Sequence, residues 1–325
     1  MKINRRSLIT ASAAAGALTF LPSVPVSAAI KADSVATLID LTRCDGCPDH
    51  KIPLCVSSCR EGRKSAFPNP PQQALRDYWP QKKHEDWSAK RHLFNRFTPY
   101  NWMFVQQVEI SGKTISIPRR CMHCDNPPCA KLCPFGVKHK TAEGPVYIDH
   151  ALCFGGAKCR SVCPWSVPQR QAGVGIYTLW QKYLPVGGGV MYKCDLCRDR
   201  LGAGEQPFCI EACPRKAMQI GRRDNILKQA EQLREQYDGD LYGMTENGGT
   251  STIYVSAVAF SDIDAALVKQ SKSRKTGQPV RLDQPENILA KQKSWALLSV
   301  IAPLAGVIAA LGLTRGKPAE EDSPS

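Results

Sequence analysis

Cysteine carries the chemistry of this chain. Fifteen of its 325 residues are cysteines, and every one falls into one of four groups. They are Cys44, Cys47, Cys55 and Cys59; Cys121, Cys124, Cys129 and Cys133; Cys153, Cys159 and Cys163; and Cys194, Cys197, Cys209 and Cys213. An odd number cannot all pair as disulfides, and so many free thiols are an oxidation hazard without a purpose. Thiolate is a soft ligand suited to zinc or to iron–sulfur clusters, and spacing decides between them. A zinc ribbon folds two distant Cys-x2-Cys pairs around one ion. Here each group supplies three or four thiols and ends in Cys-x3-Cys, and three of them run on into Pro134, Pro164 and Pro214. The bacterial ferredoxin run is Cys-x2-Cys-x2-Cys-x3-Cys-Pro, whose fourth cysteine serves the other cluster of a pair. Group two is a stretched version of it, and groups one and four widen the middle gap to seven and eleven residues. The four groups read as ligand sets for iron–sulfur clusters rather than for zinc.

Group three departs from the others. With Cys153 in the first position, Gly156, Cys159 and Cys163 fill the next three. Glycine stands where the second thiolate belongs and has no side chain to replace it. One site is therefore a ligand short.

The thiols need a scaffold. Short, loop-rich units held by metal ligation require little hydrophobic core, and the repeat predicts an α+β fold over residues 29–290. The charged, Trp- and Pro-containing stretch 60–120 reads as a linker that crosses the cluster core or meets a partner. The stretch 185–192, with Gly187-Gly188-Gly189, reads as a hairpin-like turn. Residues 225–237 read as an amphipathic helix with Ile226, Ala230, Leu233 and Tyr237 on one face and Asp224 as its cap. Residues 252–258 read as a strand, and 261–290 as the approach to the C-terminal segment. His123 reads as a surface or hydrogen-bonding residue, Leu233 and Tyr237 as core, and Arg119-Arg120 as a solvated or cluster-facing pair. No Ser/His/Asp set, phosphate loop or spaced carboxylate pair points to catalysis.

The ends speak of a membrane. Asn4-Arg5-Arg6-Ser7-Leu8-Ile9-Thr10, an apolar run over 11–21 and the small-residue site Val26-Ser27-Ala28 resemble a twin-arginine export signal over residues 1–28. The competing reading is an ordinary secretory signal. Export of an already folded protein suits thiols that must be metallated before they reach an oxidising compartment. Residues 295–313 form a run of 19 without a charge, about 28 Å as a helix, enough to cross the hydrocarbon core. A single transmembrane helix over 294–313 follows, with a polar tail over 314–325; the alternative is a buried core helix. The formal net charge is +14, which on its own suggests nucleic acid or an anionic membrane surface. Lys2, Arg5 and Arg6 leave with the signal, however, and four ferredoxin-type clusters bring about −2 each. The basic excess reads as compensation for buried anionic clusters, and no nucleic acid is expected.

The whole chain resembles the iron–sulfur subunit of membrane-bound respiratory formate dehydrogenase. It is also similar to the anchored iron–sulfur subunit of uptake [NiFe] hydrogenases and, more widely, to the four-cluster ferredoxin subunits of molybdopterin oxidoreductases. The resemblance is carried by Cys121-Met122-His123-Cys124, by Cys163-Pro164-Trp165-Ser166-Val167-Pro168 and by Cys194-Asp195-Leu196-Cys197. Gly248-Gly249-Thr250 running into Tyr254-Val255 adds the formate dehydrogenase flavour. It implies two ferredoxin-like two-cluster modules, one from groups one and four and the other from groups two and three. By that resemblance Cys44, Cys47, Cys55 and Cys213 hold one [4Fe–4S] cluster. Cys194, Cys197, Cys209 and Cys59 hold a second, and Cys121, Cys124, Cys129 and Cys163 a third. Cys153, Cys159 and Cys133 hold a [3Fe–4S] cluster, with Gly156 replacing the missing ligand; the alternative is a [4Fe–4S] cluster whose open iron carries water or hydroxide. Respiratory nitrate reductase is similar there, with tryptophan at the matching position and a three-iron cluster facing its membrane partner. The implied role is non-catalytic electron transfer between a molybdopterin (formate dehydrogenase-type) or [NiFe] catalytic subunit and a membrane cytochrome b or other quinone-reactive subunit. The implied place is the periplasmic side of the cytoplasmic membrane.

Overall fold

The computed structural model describes residues 34–75, 84–180, 187–270, 276–279 and 281–290. The predicted signal 1–28, the membrane span 294–313 and the tail 314–325 lie outside the described residues. Among the described residues, no helix is long and apolar enough to cross a membrane. In chain order the strands are β1 (Val35–Asp40), β2 (Phe104–Ile110), β3 (Lys113–Arg119), β4 (Lys138–Lys140), β5 (Val146–Ile148), β6 (Gln169–Gln171), β7 (Val190–Tyr192), β8 (Met218–Arg222), β9 (Asp240–Tyr242) and β10 (Thr252–Ser256). The helices are α1 (Leu54–Gly62), α2 (Pro128–Lys131), α3 (Lys158–Ser161), α4 (Tyr177–Trp180), α5 (Arg198–Gly202), α6 (Phe208–Glu211), α7 (Arg223–Tyr237) and α8 (Phe260–Gln270).

β1, with Thr37 and Asp40 among aliphatic residues, is buried from its second residue on, as an interior strand must be. It pairs parallel with β10 and antiparallel with β8, and β9 closes the sheet in the order β8-β1-β10-β9. Successive side chains leave the sheet on opposite faces. Ala36, Leu38, Ile253 and Val255 meet Ile226 and Ala230 of α7 in a small core. Ile39 and Tyr254 face the other way, into a larger core that also contains the buried thiols. Each Leu- or Ile-sized side chain sealed there contributes roughly 1.5–3 kcal/mol. The first described strand therefore meets β8 and β10 in one sheet, which brings cysteine group one beside group four. The β4–β5 pair, between Cys133 and Cys153, links groups two and three, and the β6–β7 pair joins the end of group three to the start of group four.

The predicted helix 225–237 is present but starts at Arg223. Asp224 lies in its first turn, where a carboxylate favours the positive helix end, rather than at the cap; Arg222 occupies that position without a side-chain bond. Leu233 and Tyr237 pack on the small core, and the Tyr237 hydroxyl donates to Asp40 Oδ2 at 3.0 Å. The predicted strand 252–258 stops at Ser256, because the Val258 N–H turns to Ser256 Oγ at 3.0 Å instead of continuing the ladder. The stretch 60–120 contains a hairpin that the linker reading missed. β2 and β3 are joined by Ser111 and Gly112, both with positive φ, the signature of a tight two-residue turn. Gly187–Gly189 lead into β7 rather than forming a simple turn, and a Cβ on Gly189 would stand 2.0 Å from the Gln171 carbonyl oxygen of β6. Only glycine permits that approach.

Candidate iron–sulfur centres

Each cysteine group builds the same local shape. In its first half the chain kinks through left-handed residues: Gly46 and Cys47, His123, Gly155 and Ala157, Leu196 and Cys197. Left-handed backbone is costly for non-glycine residues. It turns successive N–H groups into a concave nest suited to an anionic centre. In its second half the third thiol rides on a short helix. Cys55 lies on α1, Cys129 on α2, Cys159 on α3 and Cys209 on α6. The last thiol of groups two, three and four follows that helix with one shared backbone bond. The N–H of Cys133 donates to Ala130 at 3.3 Å, that of Cys163 to Arg160 at 3.2 Å and that of Cys213 to Ile210 at 3.2 Å.

The thiols gather across groups. Cys44, Cys47, Cys55 and Cys213 line one cavity with Val105, Pro118, Ala217 and Met218. Cys59 is buried against Cys209, Cys194 and Cys197. Cys124 is buried against Cys129, Cys121 and Cys163. Cys153 has Cys159 as its thiol neighbour and accepts the Met191 N–H at 3.5 Å. Cys133 shows no contact with that pair; it follows α2, which packs on α3. Burial pushes the Cys44 and Cys194 thiols up to about 11 and the Cys163 and Cys197 thiols up to about 12. Neighbouring thiols add to the effect, so deprotonation waits on a cation, and metal binding there releases protons.

Buried cations complete the environment. Arg120 is 2% exposed, and its Nη2 donates to Thr37 Oγ1 and, at 3.3 Å, to Thr252 Oγ1. Its Nε and Nη1, and Lys138 Nζ, are buried without a partner. Arg120 lies beside Cys209, Cys194 and Cys121, and Lys138 beside Cys129 and Cys153. Unpaired buried donors are expensive. Their position among thiols fits an anionic group with acceptor atoms, which the sulfides of an iron–sulfur cluster provide. Among the described residues no three of His, Cys, Asp and Glu converge on a single ion. A cubane, with an iron at each of four corners, spaces its thiolates more widely than zinc at about 2.3 Å from each sulfur.

Two polar residues around the thiols, Asn247 and Lys193, were not singled out by sequence reasoning. Asn247 Nδ2 donates to Cys124 Sγ at 3.4 Å. Lys193 is 3% exposed, and its Nζ donates to the Cys194 carbonyl at 2.9 Å and to the Val146 carbonyl. Arg119 and Arg120 form no solvated pair, since both are buried, and Arg120 takes the cluster-facing place beside Cys209, Cys194 and Cys121. Of the two roles read for His123, the hydrogen-bonding one holds, its Nδ1 accepting the Val146 N–H at 2.9 Å, and the surface one does not. The residue is 0% exposed, and burial, with Lys193, Arg120 and Lys140 nearby, holds its pKa well below the usual imidazole range. Adjacency to a cysteine was the one available signal for Lys193.

Glu85 latches the segment that carries Cys159. It accepts two bonds from Arg160 of α3, at 2.7 and 2.8 Å, and a further one from Arg170. Burial works against its charge, but the two arginines hold its carboxyl below the usual carboxylate range. Such a depressed pKa stabilises the fold fully above the unfolded value of about 4.3 and is lost as pH falls through the folded one. Glu85→Gln is expected to cost about 2 kcal/mol at neutral pH. The gap from the native protein should close as the pH falls below about 4. Urea denaturation across pH reads this directly, and a gap that persisted in acid would rule out the charge as the cause.

Residues 43–137 match a 4Fe–4S dicluster domain, and residues 113–223 match a second model of the same description. The probable anaerobic dimethyl sulfoxide reductase chain YnfG of Escherichia coli strain K12 is 30% identical over 183 residues, which cover 56% of this chain and 71% of that protein. The chain belongs to the 4Fe–4S dicluster ferredoxin family. Two further relatives of this dicluster protein are informative. A protein of Nitratidesulfovibrio vulgaris is 30% identical over 235 residues, 70% of this chain, and the chain spans 56% of its length. The hydrogenase-2 operon protein HybA of Shigella flexneri is 27% identical over 307 residues, covering 81% of this chain and 83% of that protein. Both matched domains run along the chain order, whereas the thiols that meet in space come from groups one and four and from groups two and three.

Proposed function

We propose that this dicluster protein is a non-catalytic electron-relay subunit. The observation that carries the reading is the gathering of thiols from separate groups around shared centres, with unpaired buried cations among them. When bound, iron–sulfur clusters supply one-electron carriers whose potentials follow cluster type, hydrogen bonds to sulfur and burial. The residues assigned to hold them are Cys44, Cys47, Cys55 and Cys213; Cys59, Cys194, Cys197 and Cys209; and Cys121, Cys124, Cys129 and Cys163, each set for a [4Fe–4S] cluster. Cys133, Cys153 and Cys159 are assigned a [3Fe–4S] cluster. The chain's own contribution is to hold the thiolates, exclude water and aim donors at sulfur.

The relatives named for dimethyl sulfoxide reductase and hydrogenase-2 support a catalytic partner that the chain itself lacks. Gly248-Gly249-Thr250, beside Asn247 at Cys124, favours a formate dehydrogenase catalytic subunit; a [NiFe] hydrogenase is the second reading. The proposed place is the outer face of the cytoplasmic membrane, reached by the twin-arginine signal and held by the 294–313 span, beside a quinone-reactive membrane subunit.

Anaerobically purified protein is expected to hold about 15 irons, from three four-iron clusters and one three-iron cluster. Mainly zinc, with no broad visible absorption, would sink the reading. Purified from its native membrane, the intact complex should carry molybdenum or tungsten with formate-oxidising activity; nickel would decide for the hydrogenase. Replacing Arg5 and Arg6 with lysine should strand the cluster-loaded protein in the cytoplasm, and unchanged delivery in fractionated cells would point to another route.

A further inference from the structure

Two ligand loops reach across to each other where the two thiol modules meet. His123 belongs to the loop of Cys121 and Cys124, yet its Nε2 lies 3.7 Å from Cys194 Sγ. Lys193 precedes Cys194, yet its Nζ lies 3.6 Å from Cys121 Sγ. Val146 of β5 clamps both. Its N–H donates to His123 Nδ1 at 2.9 Å, and its carbonyl accepts from Lys193 Nζ. Because Nδ1 accepts a hydrogen bond, the ring proton sits on Nε2, so an N–H faces Cys194. Both side chains are buried, and an ammonium is rarely sealed in a core without a partner charge.

We propose that His123 and Lys193 are a crossed pair of positioning residues that set the potentials of the two clusters at this junction, His123 acting on the cluster of Cys194 and Lys193 on that of Cys121. The inference rests on the cluster assignment proposed above. Reduction adds one negative charge to a cluster, and a donor aimed at a ligand sulfur stabilises that charge and raises the potential. The ammonium carries a full charge in a poorly screened place, so its effect is the larger. In the step between the two sites one cluster loses an electron and the other gains it. No proton moves, since both side chains keep theirs. With both donors in place the two potentials rise together, and the step stays near balance. Removing either donor tilts it.

The test is an EPR-monitored redox titration of the full-length, cluster-loaded protein, each signal being assigned by its disappearance in Cys121→Ser or Cys194→Ser. Lys193→Met should lower the Cys121 site and shift the electron-sharing equilibrium between the two sites about tenfold, ~59 mV for one electron. Lys193→Arg should restore most of it. His123→Leu should lower the Cys194 site and shift the same equilibrium about threefold in the opposite sense, and His123→Gln, which keeps an N–H donor, should restore it. The signals of the Cys44 and Cys153 sites should stay put. Unmoved midpoints in variants with normal iron content would overturn the proposal, as would equal shifts at all sites. If a variant loses its iron, pulsed EPR of native protein labelled with 15N-histidine decides: nitrogen coupling at the Cys194 cluster supports the contact, and no coupling overturns it. Native protein without iron–sulfur signals would instead overturn the function proposed above, and this inference with it.

Discussion

Gly156→Cys is expected to convert a three-iron centre into a four-iron one. The backbone is ready for the change. Gly156 is outside the left-handed region, although Gly155 and Ala157 on either side are within it. A Cβ at Gly156 meets only Phe135 Cε2, at 3.7 Å, an ordinary contact. The site lacks a thiol because the residue type lacks one, and there is space for it. An oxidised three-iron core is all ferric, whereas a four-iron core is already half ferrous, so the first accepts an electron more readily. Iron content should rise from about 15 to about 16, the three-iron signal of the oxidised protein should vanish, and the potential of that one site should fall by hundreds of millivolts, within the roughly −700 to +450 mV span of such clusters. EPR of air-oxidised protein is the measurement. No three-iron signal in the native protein, or the same signal kept in the variant, would count against the assignment.

Cys213→Ser and Cys59→Ser should each remove one cluster, about four irons, and the informative point is which one. Cys213 lines the cavity of Cys44, Cys47 and Cys55, and Cys59 lies with Cys194, Cys197 and Cys209. Cys213→Ser should therefore abolish the same EPR signal as Cys47→Ser, and Cys59→Ser the same signal as Cys197→Ser. If Cys213→Ser shared its lost signal with Cys197→Ser, each group would serve its own cluster and the interleaving would be wrong.

The ligand groups were legible in the sequence because thiols are scarce and their spacing is local. Their sharing between groups was not, since nothing in the run from Cys44 to Cys59 says that Cys213 completes it. That link came from family resemblance and from the β1–β8 pairing that brings the two segments together. The helix at 223–237 showed through its apolar period, with its start misjudged because Asp224 has the chemistry of a cap but stands in the first turn, two residues past it. The β2–β3 hairpin was overlooked although Ser111-Gly112 sits between two runs of alternating residues; the charge and proline around it masked the signal. For Arg120 the sequence left a solvated and a cluster-facing place open, and Lys193 gave no signal beyond its neighbour Cys194, for a physical reason. Both residue types normally face water, and only the fold shows that thiols surround them.

The meeting of β1 and β10 also sets a clock. Thr37 of β1 bonds Thr252 of β10, 215 residues further on, and Cys55 must wait about 160 residues for Cys213. At roughly 5–20 residues per second, that wait lasts on the order of ten to thirty seconds of synthesis. The module built from groups two and three can close while the ribosome is still at work, whereas the module built from groups one and four is the last to seal. A nascent chain that stops short of Cys213 leaves Cys44, Cys47 and Cys55 without the fourth thiol of their cavity.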